Sequence, residues 1–316
     1  MRRTKLYIPG EVKSKIAEHV DERYKHALDG YYSANEDEDT LTGDLGASLR
    51  IKNQKVNVID NEINGTWSWG ISYTKFRGRG QNATEKMIGA DGIIELEIKI
   101  GNRIERKSAL FQSKKNLIKD PQLLQQAVLL TTWREAAFVL NFEPESYEVY
   151  NLDSIIKSQG KKPNPTSIKN IADFFKDDFM ECFVGDTSLG YDARKRILKW
   201  KTTEGITVGT KFSIPHRIAV KVKAPIKNFR DDWYDKEIKN NEIHNYRMAA
   251  SDEEILSLPD NYSLKDIKKS RNEIAKLYHP DKNTDLDDLQ NEIFKRRMQE
   301  ANLAYDELIK RNKNAT

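Results

Sequence analysis

The chain has almost no cysteine: Cys182 is the single one in 316 residues. A lone thiol excludes an internal disulfide and a thiolate metal site, and it fits a reducing cytosol. Long apolar runs are also missing. None approaches the ~18 residues of a membrane-spanning helix. The start, residues 1–9, is basic but has no apolar core, so no secretory signal is expected there. These absences predict a cytoplasmic chain with no membrane association. Charge of one sign is scarce in net terms, at +4. Four of the five histidines, His19, His26, His216 and His244, show no ligand spacing, so no chemistry is assigned to them. No internal repeat or low-complexity tract is present.

What remains is a composition of 38% hydrophobic and 32% charged residues. That is enough apolar material for a core beneath a heavily charged surface, and the length suits two or three domains. Basic residues gather locally: Arg77 with Arg79; Arg103, Arg106 and Lys107; Lys114, Lys115 and Lys119; Arg194 to Lys201. Such clusters can bind phosphates, although solvated faces are the commoner outcome.

Periodicity predicts a helix over 11–34 and a second over 39–51, with acidic residues at its start. Residues 66–77 alternate as a strand, with Trp67, Trp69, Ile71 and Tyr73 on one face and more consistent with packing than with base stacking. Residues 93–100 alternate again, Gly101-Asn102 reads as a hairpin turn, and 104–115 is the return strand. A helix over 121–133 and a second hairpin, 136–142 with 147–152, follow. Helix, three strands, helix and strand form an α/β layer pattern. Residues 167–184 read as an amphipathic helix, 206–222 as strand, and 223–249 as a charged connector. The expected division is 1–152, 153–249 as an accessory region and connector, and 250–316.

Within the last part, Ser263 and Asp266 look like a capping box. A basic helix then carries Lys265, Lys268, Lys269 and Lys276, and Pro280 forbids its continuation. A closing helix over about 289–310 repeats Phe294, Met298, Ala301, Tyr305 and Leu308 at four and three, the stripe of an antiparallel partner. KLYHPDKN (276–283) and NLAYDELI (302–309) are similar to the two signature blocks of the J domain family, and SDEEILSLPD (251–260) resembles its short first helix. The resemblance implies an all-α helical hairpin that docks a DnaK-type chaperone through His279, Pro280 and Asp281, with Lys268, Lys269 and Lys282 steering. Arg271 stands where the family usually has tyrosine.

A second constellation is GADGIIELEIKI (89–100) followed by SALFQSKKN (108–116). A carboxylate leads into one strand, and Gln112 and Lys114, two apart, share a face of the next. Hard oxygen ligands and a lysine suit metal-dependent phosphodiester cleavage. The pattern resembles the PD-(D/E)xK nuclease superfamily in a QxK variant, as in Mrr-like restriction enzymes. That resemblance implies a restriction-endonuclease-like α/β fold and a Mg²⁺ (or Mn²⁺) site. It assigns Asp91 as metal ligand, Gln112 as weaker ligand or orienter, Lys114 as catalytic lysine and Glu38 as the added helix glutamate. Gln125 and Gln126 occupy the following helix, where relatives often carry a polar active-site residue. Glu97 and Glu85 are further candidates to compensate for the missing acid at Gln112. The joint expectation is a nuclease acting on DNA, with Arg103, Arg106, Lys107, Lys115 and Lys119 holding nucleic acid. Coupling to a chaperone by the J domain suggests bacterial antiviral defence. The alternative is a co-chaperone adaptor whose nuclease-like part only binds a client or nucleic acid.

Overall fold

A computed structural model describes residues 6–33, 37–59, 64–76, 89–117, 120–131, 133, 136–158, 160–161, 163, 168–201, 207–225, 252–279 and 288–314. Arg77, Arg79, Glu85, Lys119, His244, Pro280, Asp281, Lys282 and most of the expected connector lie outside the described residues.

The chain opens with α1 (Gly10–Ser33) and α2 (Glu38–Ser48). Strands β1 (Ile51–Val58), β2 (Gly65–Lys75), β3 (Gly92–Ile100) and β4 (Arg103–Lys115) follow. Next come α3 (Leu123–Leu130), β5 (Ala137–Phe142), β6 (Tyr147–Tyr150) and α4 (Leu152–Lys157). After β7 (Ile168–Asn170), a single turn α5 (Ile171–Asp173) continues as a π-helical turn, Phe174–Phe179. A three-stranded meander, β8 (Leu189–Asp192), β9 (Ile197–Lys201) and β10 (Thr207–Lys211), precedes β11 (His216–Lys223). The chain closes with α6 (Asp252–Ile255), α7 (Leu264–Tyr278) and α8 (Asp288–Asn314).

The main sheet is mixed and eight-stranded, in the order β1-β2-β11-β3-β4-β5-β6-β7. Alternation along each strand sorts its two faces. Trp67, Trp69, Ile71, Ile94, Leu96, Ile98 and Phe111 turn to one side, where α1, α2 and the 171–179 helical segment cover them. Ile93, Leu110 and Val139 turn to the other, beneath α3, α4 and the β8–β10 meander. Each fully buried aliphatic or aromatic side chain contributes about 1.5–3 kcal/mol, so both layers are held mainly by apolar burial. The mixed α/β arrangement matches the expected layer pattern.

Three local expectations change. Helix α2 stops at Ser48, and residues from Ile51 form edge strand β1 instead, pairing antiparallel with β2. Residues 168–170 are a strand, not the start of a helix, because they extend the sheet beside β6. The largest change is β11. It runs antiparallel to β2 and parallel to β3, in the centre of the sheet. The expected accessory region therefore supplies a central strand, and the sheet does not stop at residue 152.

At the C-terminal end, Ser263 and Asp266 form a reciprocal capping box at the start of α7. Ile267, Ile274 and Tyr278 pack on Met298, Ala301, Ala304 and Leu308 of α8. Tyr278 meets Phe294 edge to face at 5.0 Å, while Arg271 donates to the Asn302 amide oxygen, so the two helices run antiparallel. Arg271 also lies over the Tyr305 ring, 6.0 Å from its centre. An arginine is thus accommodated by a polar partner and a cation–π contact. This helical pair is not isolated. Tyr278 donates its hydroxyl to the Val128 carbonyl of α3 at 3.2 Å, and Phe294 borders both cores.

Candidate active site

Asp91 ends a turn that begins at Gly89 and leads into β3. Gly89 has φ +71°, and a Cβ there would lie 2.5 Å from the Gln126 carbonyl oxygen of α3. Only glycine allows that approach, which sets the turn against the helix. Asp91 donates its N–H to the Phe111 carbonyl at 2.8 Å, extending the β3–β4 pairing by one residue. Its carboxylate oxygen Oδ2 accepts from Gln112 Nε2 at 2.5 Å and from the Ser113 N–H at 2.8 Å.

Gln112 and Lys114 follow Leu110 on the same face of β4, as their spacing predicts. Both are buried, at 1% and 3% exposure. Gln112 Oε1 has no hydrogen-bond partner among the described residues. An unsatisfied buried amide oxygen is costly, and this one belongs to the side chain that touches the Asp91 carboxylate. Lys114 Nζ lies 2.5 Å from Asp120 Oδ2 and 3.8 Å from Glu38 Oε2. Glu38 comes from the first turn of α2, where its Oε1 accepts the Lys115 N–H at 3.0 Å. Asp91, Gln112, Lys114 and Glu38 therefore converge around one end of β4.

Sequence reasoning passed over Asp120. Its Oδ1 accepts the Gln122 N–H at 2.7 Å ahead of α3, and its Oδ2 holds the lysine. Burial works to raise the Asp120 pKa, but the Lys114 hydrogen bond and charge outweigh it and hold the group below the ordinary carboxylate range. The available signal was an acid directly before Pro121 at a helix start, a short loop after the lysine. Of the two glutamines on α3, Gln126 is buried and Gln125 is exposed.

His216 was also passed over. Its ring bridges Tyr73 (Nδ1 to hydroxyl, 2.8 Å) and Asp39 (Nε2 to Oδ1, 2.9 Å). Burial lowers its pKa against the pull of Asp39. Burial likewise pushes the Tyr73 hydroxyl up to about 12. Nothing in the local sequence marks His216, because its partners come from β2 and α2.

Glu97 does not join the site. It lies toward the far end of β3, where Arg106 Nε donates to it at 2.8 Å and Lys221 sits 3.9 Å away. One member of the expected basic patch is corrected too. Lys107 is buried at 1% exposure, and its ammonium donates to the Phe179 and Val184 carbonyls and lies over the Phe179 ring. A lysine enclosed this way cannot reach a phosphate. Arg103 is paired with Glu105, and Arg106 with Glu97. Lys115 stacks its ammonium over the Tyr31 ring at 4.8 Å.

On α7, Lys268 and Lys269 are exposed, and Lys269 lies 3.9 Å from Glu273. His279 is half-buried and extended (φ −68°, ψ 130°), donating its N–H to the Ala275 carbonyl at 3.0 Å. The helix therefore stops there, as a following proline requires.

Among the described residues, no group of three or more His, Cys, Asp or Glu could hold a metal ion, and no helix is long and apolar enough to cross a membrane. The donor set at β4 is smaller: one carboxylate, Asp91, and one amide oxygen, Gln112 Oε1. Both are hard ligands, and Mg²⁺ commonly takes only one or two protein groups and completes its shell with water and phosphate oxygens. The residues fit such an open site and not a closed protein cage. No family model, curated protein or solved structure matches the chain.

Proposed function

We propose that the α/β unit is a Mg²⁺-dependent (or Mn²⁺-dependent) nuclease acting on DNA, and that the C-terminal helices are a J domain that engages a DnaK-type chaperone. The observation that carries the first half is the buried Gln112 amide oxygen without a partner, beside Asp91 and two residues from Lys114. A cation held by Asp91 and Gln112 would lower the pKa of a bound water and offset charge on the scissile phosphate. Asp91 keeps its Oδ2 fixed by two donors, so its carboxylate does not need to reorganise. Lys114 presents a buried ammonium for the attacking water or the phosphate oxygens. Asp120 and Glu38 hold that ammonium at the end of β4. Lys115, at the rim beside Glu38, is the cation best placed to meet the nucleic-acid backbone.

The test is cleavage of plasmid, linear and RNA substrates with Mg²⁺ or Mn²⁺. Asp91→Ala and Lys114→Ala are each expected to lower the rate by at least about a hundredfold, the usual scale for removing one electrostatic group at the reaction centre. Equal cleavage by wild type and the double variant would sink the assignment.

The adaptor reading keeps one specific observation in its favour. Lys114 is already engaged by Asp120 at 2.5 Å, in an arrangement satisfied without a substrate. An adaptor would show no saturable Mn²⁺ binding that depends on Asp91.

The chaperone half rests on the capping box, the antiparallel pair and the helix end at His279. His279→Gln is expected to abolish stimulation of a DnaK-type ATPase in single-turnover hydrolysis. Charge reversal at Lys268 and Lys269 should slow association, and the effect should fade at high salt. Stimulation by His279→Gln equal to wild type would refute the role. Association of nuclease and J domain in one chain fits a defence role under chaperone control.

A further inference from the structure

The polar contacts around the candidate site close into a circuit. The His216 N–H donates to the Asp91 carbonyl at 3.1 Å. The Asp91 carboxylate takes the Ser113 N–H. The Thr42 hydroxyl of α2 gives its hydrogen to the Glu38 carbonyl at 2.7 Å and accepts from the Ser113 hydroxyl at 2.8 Å, and Glu38, at the start of the same helix, accepts from the Lys115 N–H. Asp39, next to Glu38, binds His216 Nε2 and so returns the circuit to its start. Two of these contacts, at Ser113 and Lys115, bracket Lys114 from the opposite face of β4.

The His216 side chain is the closing link. A carboxylate only accepts, so the hydrogen is on Nε2, and the Tyr73 hydroxyl donates to Nδ1. Both ring nitrogens are thus matched in a buried position, at 1% exposure. Lys75 adds a second tie to Asp39 at 2.6 Å. Helix α2 also comes down so closely on β2 that a Cβ at Gly46 would lie 2.3 Å from the Tyr73 ring. The N-terminal part of α2 is therefore gripped by β2 and β11 through Asp39, and it grips β4 through Glu38 and Thr42.

We infer that His216 is a positioning residue that, acting through Asp39, clamps α2 onto the back of β4 and so fixes Gln112 and Lys114 relative to Asp91. It touches neither substrate nor cation. The inference rests on the proposed cation site at Asp91 and Gln112. Groups that hydrogen-bond metal ligands directly usually matter by about 10–100-fold in affinity; the His216 ring and Asp39 act one contact further out, through α2, so the low end of that range is expected.

The experiment is Mn²⁺ titration of the full-length protein by calorimetry, with thermal melting of each variant without metal. Wild type should bind Mn²⁺ saturably, and Asp91→Ala should abolish the binding. His216→Phe and Asp39→Ala should each weaken Mn²⁺ binding about tenfold. His216→Gln, whose amide can still donate to Asp39, should recover most of that affinity. If His216→Phe does not fold, Asp39→Ala carries the test, since its carboxylate is more than half exposed and little packing is lost. Wild-type Mn²⁺ affinity in folded Asp39→Ala overturns the positioning role and leaves the cation site standing. Absence of Asp91-dependent Mn²⁺ binding in wild type overturns the cation site and the positioning role with it.

Discussion

The C-terminal helices and the main sheet are assembled from opposite kinds of contact. In the helices, α7 packs on α8, the next helix along the chain, and the capping box closes over four residues. In the sheet, the pair at the centre joins His216 to Gly92 and Lys75. Local contacts cost little loop entropy and leave their mark on a short window of sequence. Distant ones cost more and leave no local mark. A short helical motif can therefore be read almost residue by residue, while the strand order of a mixed sheet cannot.

Truncation should break the comparison most sharply. A chain ending at residue 152 loses β11 and leaves β2 and β3 with unpaired edges in what should be the sheet centre. No cooperative unfolding transition is expected from it by circular dichroism. A fragment of 250–316 keeps its own small core and should retain a cooperative helical melt, weakened by loss of the packing on α3. A sharp transition from the 1–152 fragment would show that β11 is dispensable.

Two neighbouring basic residues sharpen the contrast within the sheet. Lys107→Ala leaves the Phe179 and Val184 carbonyls without their donor and opens a cavity, at a cost of about 3 kcal/mol. Arg106→Ala, at a largely exposed pair, should stay within about 0.5 kcal/mol. Urea unfolding midpoints measure both. Reduced DNA binding by folded Lys107→Ala of wild-type stability would reinstate it as a surface residue.

In the helices the effects are smaller. Ser263→Ala removes the cap of α7 and should cost about 1 kcal/mol. Tyr278→Phe removes one hydrogen bond to α3, again about 1 kcal/mol. If the helices melt separately from the sheet, Tyr278→Phe should widen the gap between the two transitions and Ser263→Ala should lower only the helical one.

The least effect concerns pH. The Asp120 pKa is held below its usual value, so the Asp120–Lys114 link contributes stability that is fully present above the unfolded-state value of about 4. That contribution is lost as pH falls through the lower folded value. Asp120→Asn should flatten this acid limb of the stability profile and leave the neutral region lower. An unchanged limb in urea midpoints measured across that range would show that the carboxylate is not engaged in solution.

The sheet faces were legible where hydrophobic alternation was strict, as at Ile94, Leu96, Ile98 and Ile100. Asp91, Gln112 and Lys114 could be grouped because a carboxylate and a strand pair lie close along the chain, whereas Glu38, 77 residues before Lys115, was named only through the resemblance. Lys107 was misread because a lysine in a basic run looks exposed, and it is the 171–179 helical segment and the chain following it to Val184 that bury the ammonium. Asp120 and His216 were missed because each acts on a residue delivered by another element. The same limit hid β11, whose alternation showed a strand but not its neighbours.

The central position of β11 also imposes an order on synthesis. Everything up to β10 leaves the ribosome before the sheet can close, and for that interval β2 and β3 each present an open row of backbone donors and acceptors. Unpaired edges of this kind invite misassociation. The nascent chain must wait for Lys223 to emerge before its core is continuous, and the C-terminal helices, made later still, arrive only once that waiting period is over.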